Sequence, residues 1–202
     1  MAAAHPPSFV VMLPGGELCI TDNTTHHLHC LTLAGDFKRE LGEASVQFAM
    51  GLASDGESLF VADGFSNCIV KLRLADGVQT GRADNLEYPH ALAYAGGTLF
   101  CADWGNHRVV AYDSALRPLF TIGGDGSPAL GVAAPGSFMY PRGLVTHEDE
   151  LYVADTDNHR IQGVPRPVPP SCVHVACVHG RGRGRKEVLG HGSHSCTRAA
   201  AP

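Results

Sequence analysis

Four aspartates recur along this chain at Asp22, Asp63, Asp103 and Asp155, spaced by 41, 40 and 52 residues. Two are followed by the same three residues, Asn-His-Arg, at 106–108 and 158–160. A carboxylate, an amide, an imidazole and a guanidinium within six residues could contact a ligand, or could tie a turn together. Because the set recurs with a period, it points to structural duty in each copy rather than to one site. The Asp carboxylate can accept turn N–H groups, and a tight hairpin would return Arg108 and Arg160 beside it. Asn106 and Asn158 suit positive φ near the start of the returning strand. Twelve histidines keep metal chemistry in view. Zinc catalysis needs about three protein ligands, and a calcium-assisted hydrolase needs several convergent carboxylates. The chain has no G-x-S-x-G elbow, no P-loop and no dinucleotide fingerprint.

The elements that must position these groups are short. Each Asp closes an apolar run: LCITD (18–22), LFVAD (59–63), LFCAD (99–103) and LYVAD (151–155). Another apolar run precedes each, at 9–13, 48–53, 90–95 and 143–145, and a strand-like run follows. Gly-rich turns (PGGE, SDGES, AGGT) separate the first two runs in three copies, and THEDE does so in the fourth. Short strands and turns at a 40-residue period predict an all-β chain built as a β-propeller. The predicted repeats are 8–42, 45–82, 88–124 and 140–162, about four blades, in a partial or open ring with the last blade incomplete. The Gly/Pro/Ser-rich stretch 123–141 reads as an inserted loop.

In a propeller, the loop before a blade's first strand shares one face with the loop between its second and third strands. That arrangement gathers a candidate binding face of Phe65, His90, Trp104, His107, Arg108, Arg142, His159 and Arg160. Asp22, Asp63, Asp103 and Asp155 are assigned to the turns.

Residues 140–162, YPRGLVTHEDELYVADTDNHRIQ, resemble the NHL repeat, and 88–110 do so with His90 in place of Arg. The copies at 45–72 and 8–33 are more worn. The resemblance implies a β-propeller, usually of six blades. Six blades need roughly 240 residues, whereas residues 8–162 span 155, so the chain reads as part of a longer propeller, open to self-association. Residues 61–72 with 88–103 also resemble the peptidyl-α-hydroxyglycine lyase branch. That likeness implies His90 as a zinc ligand, but Phe65 stands where the branch has a catalytic Tyr, and Arg142 where the next blade could offer a second His.

Charge divides the chain. From Gly163 onward there are six Lys/Arg and one acid, leaving nine Lys/Arg against nineteen Asp/Glu in residues 1–162. An acidic body disfavours nucleic acid. The tail, 163–202, is read as a disordered Pro/Gly/Arg/His/Cys-rich extension whose PRPVPP and RGRGRK runs resemble linker and solvated charge. Seven cysteines, mostly isolated, read as reduced thiols. Without a signal peptide or membrane span in view, the expected location is cytoplasmic. The expected function is a non-enzymatic NHL-repeat scaffold for a protein partner, with no cofactor. A zinc-dependent lyase-like or calcium-dependent lactonase-like enzyme is the first alternative, and an RNA-binding propeller the second.

Overall fold

A computed structural model of the chain describes residues 9–22, 25–42, 45–124 and 136–165. The described residues form four antiparallel sheets in chain order, each a meander. Sheet 1 contains β1 (Val10–Leu13), β2 (Glu17–Asp22), β3 (His27–Leu31) and β4 (Phe37–Leu41). Sheet 2 contains β5 (Ala49–Ser54), β6 (Ser58–Asp63), β7 (Cys68–Arg73) and β8 (Gln79–Ala83). Sheet 3 contains β9 (Pro89–Ala95), β10 (Thr98–Asp103), β11 (Arg108–Asp113) and β12 (Pro118–Gly123). Sheet 4 has three strands among the described residues: β13 (Pro141–His147), β14 (Glu150–Asp155) and β15 (Arg160–Pro165). Each repeat Asp ends the second strand of its sheet, as the period predicts. β15 continues past Gln162, where the sequence pattern fades. The proposed tail beyond Pro165 and residues 125–135 of the insertion lie outside the described residues.

The sheets stack face to face, and the alternation of side chains explains how. In β6 every residue is buried. Leu59 and Val61 enter the core shared with sheet 1, beside Leu28 and Cys30, while Phe60 and Ala62 enter the core shared with sheet 3, beside Leu99 and Cys101. Phe100 and Val109 of sheet 3 then meet Leu151 and Val153 of sheet 4. A strand with apolar side chains on both faces is what a blade sandwiched between two others needs. In β2 and β14 burial alternates instead. Their inward residues are covered, and the outward faces of sheets 1 and 4 are not, leaving Val10, Met12, Phe37, Val145 and Ile161 exposed. The described residues therefore form an arc of propeller blades whose two outer sheets have no further blade against them among these residues. The described cysteines, Cys19, Cys30, Cys68 and Cys101, are buried free thiols.

First strands lie innermost: β1 packs on β5, β5 on β9, and β9 on β13. Phe9 reaches across to the ring of His90, 5.4 Å away and edge to face. The approach is closest at Gly51, where a Cβ would sit 2.5 Å from the His90 carbonyl oxygen. Gly51→Ala must push β5 off β9. We expect a loss of about 1–3 kcal/mol, read as a lower midpoint in chemical denaturation with an unchanged slope.

Candidate functional site

The site is built on the Asp turns, so these come first. Asp63, Asp103 and Asp155 are fully buried. Each carboxylate reaches outside its own hairpin to the loop that leads into the first strand of the same blade. Asp63 accepts the N–H groups of Gln47 and Phe48 at 2.7 and 3.1 Å. Asp103 accepts that of Glu87 at 2.6 Å, and Asp155 that of Met139 at 2.6 Å. Within the hairpin, Asn106 and Arg108 donate to Asp103 at 2.9 and 2.6 Å. Asn158, Arg160 and Gln162 donate to Asp155 at 2.8–3.0 Å. In the worn second copy, Ser66 supplies its N–H and hydroxyl to Asp63. The lead-in loop, the hairpin and the strand end thus converge on one carboxylate.

Arginine belongs to the same knot. The Nη2 groups of Arg108 and Arg160 donate to the carbonyls of Asn85 and Ser137 in the lead-in loops. The Arg160 side chain keeps 11% of its exposure and Arg108 30%. Both guanidiniums face the buried Asp, and this corrects their placement on the open candidate face: they shape the loops beneath it.

Asp22 differs from the other three. Its side chain is 28% exposed and lies 3.4 Å from His29 Nε2, and it accepts a 3.3 Å bond from Thr25 N–H. Next to it the buried Thr21 ties in the lead-in residue Phe9: its hydroxyl accepts Phe9 N–H at 3.2 Å and its N–H donates to Phe9 O.

Positive φ falls on His107 and His159, and on Asn67 and His26 in the worn copies, rather than on Asn106 and Asn158. All four stand four residues after the repeat Asp. Two of them hold the next blade: Asn67 Oδ1 accepts Tyr88 N–H at 2.8 Å, and His107 Nδ1 accepts Tyr140 N–H at 3.1 Å. Tyr88 and Tyr140 are themselves at φ +50° and +51°, a conformation costing a non-glycine residue roughly 1–2 kcal/mol. Their rings are thereby turned onto the loop face. His159, exposed at φ +51°, repeats the His107 backbone at the outer end of sheet 4.

The result is a continuous aromatic strip across three blades. Phe65, 62% exposed, stacks on Phe48 at 4.2 Å. Tyr88 lies 6.2 Å from Phe65 and 5.7 Å from Trp104. Trp104 lies 4.4 Å from Tyr140, which meets His107 at 4.3 Å. Beside the strip, at the end of the axis, is a cleft of about 360 Å³ lined by Met50, Tyr88, His90, Trp104 and Arg142. Met50, His90 and Arg142 each stand thirteen residues before a repeat Asp, so one register position from three blades converges there. Of the candidate face, the structure brings Phe65, His90, Trp104, His107 and Arg142 together around strip and cleft. Phe48, Met50, Tyr88 and Tyr140 join them unannounced. An aromatic fifteen residues before the Asp in three copies (Phe48, Tyr88, Tyr140) was the available signal.

His90 is held by a 2.9 Å bond from Nδ1 to the Arg142 carbonyl. Its pKa is lowered because burial disfavours the imidazolium. As a zinc ligand it stands beside a thioether, two aromatics and a guanidinium, and among the described residues no three His, Cys, Asp or Glu side chains converge. That donor set does not fit a catalytic zinc. Nor does calcium find its carboxylates here, because the buried repeat Asp residues are separately engaged in their turns.

A family profile of the NHL repeat matches residues 138–164. Those residues are an NHL repeat. Solved structures show the fold that such repeats take here. The chain is similar to a catalytically inactive virginiamycin B lyase from Staphylococcus aureus with quinupristin (17% identity, TM-score 0.57), over 73% of this chain and 48% of that one. It is similar to a chain of a nidogen/laminin complex (19%, TM-score 0.63), over 81% of this chain and 61% of that one. It is also similar to a streptogramin B lyase (15%, TM-score 0.63), over 86% and 58%. The NHL-repeat chain thus spans about half to three fifths of these structures, and at such identities the likeness concerns the β-propeller fold. Among curated proteins, none matches its sequence. No helix of the described residues is long and apolar enough to cross a membrane.

Two predictions follow from the Asp knots and His90. Asp155→Ala leaves Met139 N–H and the Arg160 guanidinium without their buried acceptor and should cost about 1–3 kcal/mol. Asp22→Ala, at a carboxylate 28% exposed, should cost less than Asp155→Ala, and equal losses in urea unfolding would refute the difference. His90, with its folded pKa below the unfolded value of about 6.5, takes up its proton more readily when unfolded. Stability should be full above that pH and fall as pH drops below it. His90→Gln should make the decline between pH 7 and 5 shallower, as measured by unfolding at stepped pH.

Proposed function

We propose that this NHL-repeat propeller segment is a non-enzymatic scaffold that binds a protein partner through its loop face. The observation that carries the reading is the aromatic strip Phe48–Phe65–Tyr88–Trp104–Tyr140, partly open to water and held in place by strained backbone and buried turns. Aromatic and arginine side chains are those interface hot spots favour, and Arg142 stands beside the strip. The nidogen/laminin structure supports the reading by analogy of fold, since there a similar propeller is part of a protein complex. The lyase structures keep an enzyme as the alternative. Against it stand a lone imidazole where zinc would want a set of ligands, and Phe65, whose ring has no hydroxyl to act as a base. The excess of acid in residues 1–162 weighs against RNA.

Affinity capture with the parent chain and with Phe65→Ala and Trp104→Ala tests the scaffold. A partner bound stoichiometrically by the parent should be lost, or weakened about ten-fold or more, in both variants. A partner retained by both would place binding elsewhere. Elemental analysis of untagged protein should find no stoichiometric zinc, whereas one zinc per chain that vanishes in His90→Ala would favour the enzyme.

A further inference from the structure

The cleft at the end of the axis has a chemistry of its own. Arg142 is exposed, and among the described residues no carboxylate forms an ion pair with it. Its guanidinium instead lies over the Trp104 ring, 6.0 Å from the centroid. The corresponding positions in the two preceding blades are Met50 and His90, and burial holds His90 toward its neutral form. Among the described residues Arg142 is therefore the one cation lining the cleft. Trp104 contributes its ring to the wall, while its Nε1 is turned away from water. The other walls are a thioether and aromatic rings.

We propose that this cleft receives the C-terminal carboxylate of a partner polypeptide whose last side chain is aromatic or branched apolar. The inference rests on the scaffold reading and deepens it by naming what the loop face grips. Arg142 supplies the charge and can meet a carboxylate with two parallel N–H bonds, the geometry that suits a planar anion. Met50 and Tyr88 offer apolar surface to the terminal side chain, and a cleft of about 360 Å³ holds one or two residues. The rest of the partner would run along the aromatic strip toward Phe65. A cleft with room for one or two residues suits the end of a chain.

Trp104 is the chain's one tryptophan, so its emission reports on the cleft directly. The protein is titrated with Gly-Gly-Phe bearing a free C-terminus, with the same tripeptide as its C-terminal amide, and with acetate. We expect the free acid to shift Trp104 emission at millimolar concentration. The amide should bind about ten-fold or more weaker, as loss of a charge-assisted contact implies. Arg142→Gln should abolish the preference for acid over amide, and acetate should bind far more weakly than the tripeptide. Equal responses to acid and amide, or none to either, overturn the proposal. Acetate binding as well as Gly-Gly-Phe would show a bare anion site and overturn the peptide part. If the preference fails while partner capture still depends on Phe65 and Trp104, the scaffold stands without the carboxylate.

Discussion

One buried carboxylate in each of the second, third and fourth blades organises this molecule. Asp63, Asp103 and Asp155 sit out of reach of water, where an uncompensated charge would be prohibitive. Each is compensated by backbone N–H groups from one loop and side-chain donors from another. Neither loop could take its path without the carboxylate, and the carboxylate could not be buried without both loops. Because the lead-in loop starts the innermost strand, the same contact sets where each blade meets the axis. The aromatic strip is a consequence: Tyr88 and Tyr140 emerge one residue after Glu87 and Met139, the donors to Asp103 and Asp155.

Stacking is the second constraint. A central blade buries both faces, so Leu59 and Val61 serve one core while Phe60 and Ala62 serve the next. At the ends of the arc the same strand type has one partner, and its outward residues remain open. Runs such as LFVA and LFCA, apolar at every step before the Asp, suit a sandwiched strand, although LYVA in the end sheet reads alike, and period and turn glycines announce the sheet around each. That much of the fold was legible because it rests on local alternation and recurrence. The third strand of sheet 4 was harder to bound, since VPRPVPP after Gln162 carries no strand pattern while β15 still pairs Gly163, Val164 and Pro165 with β14.

The site was half legible for a related reason. Asp and Arg recur at fixed spacing, so a hairpin that pairs them could be foreseen. The lead-in N–H groups they capture could not, because Glu87 and Asp103 are 16 residues apart and carry no mark of their contact. Positive φ went to His107 rather than Asn106 for a reason residue preference does not express: Asn106 must aim its amide at Asp103, and His107 its Nδ1 at the next blade's Tyr140. Contacts between blades also recruited Phe48, Met50, Tyr88 and Tyr140 to the face. Arg142 and His90, alike in register, differ in what they offer there, a guanidinium over the Trp104 ring and an imidazole that burial holds toward its neutral form.

The proposed binding role draws on how the loop face is held. Rings positioned by buried turns lose little freedom on binding, which favours recognition over chemistry that needs moving proton donors. The most direct measurement is amide hydrogen exchange at Glu87 and Met139 in the parent and in Asp103→Ala. If one carboxylate holds each lead-in loop, both amides exchange as slowly as strand amides in the parent, and only Glu87 becomes fast in the variant. Fast exchange at Glu87 in the parent, or unchanged exchange in Asp103→Ala, would contradict the account.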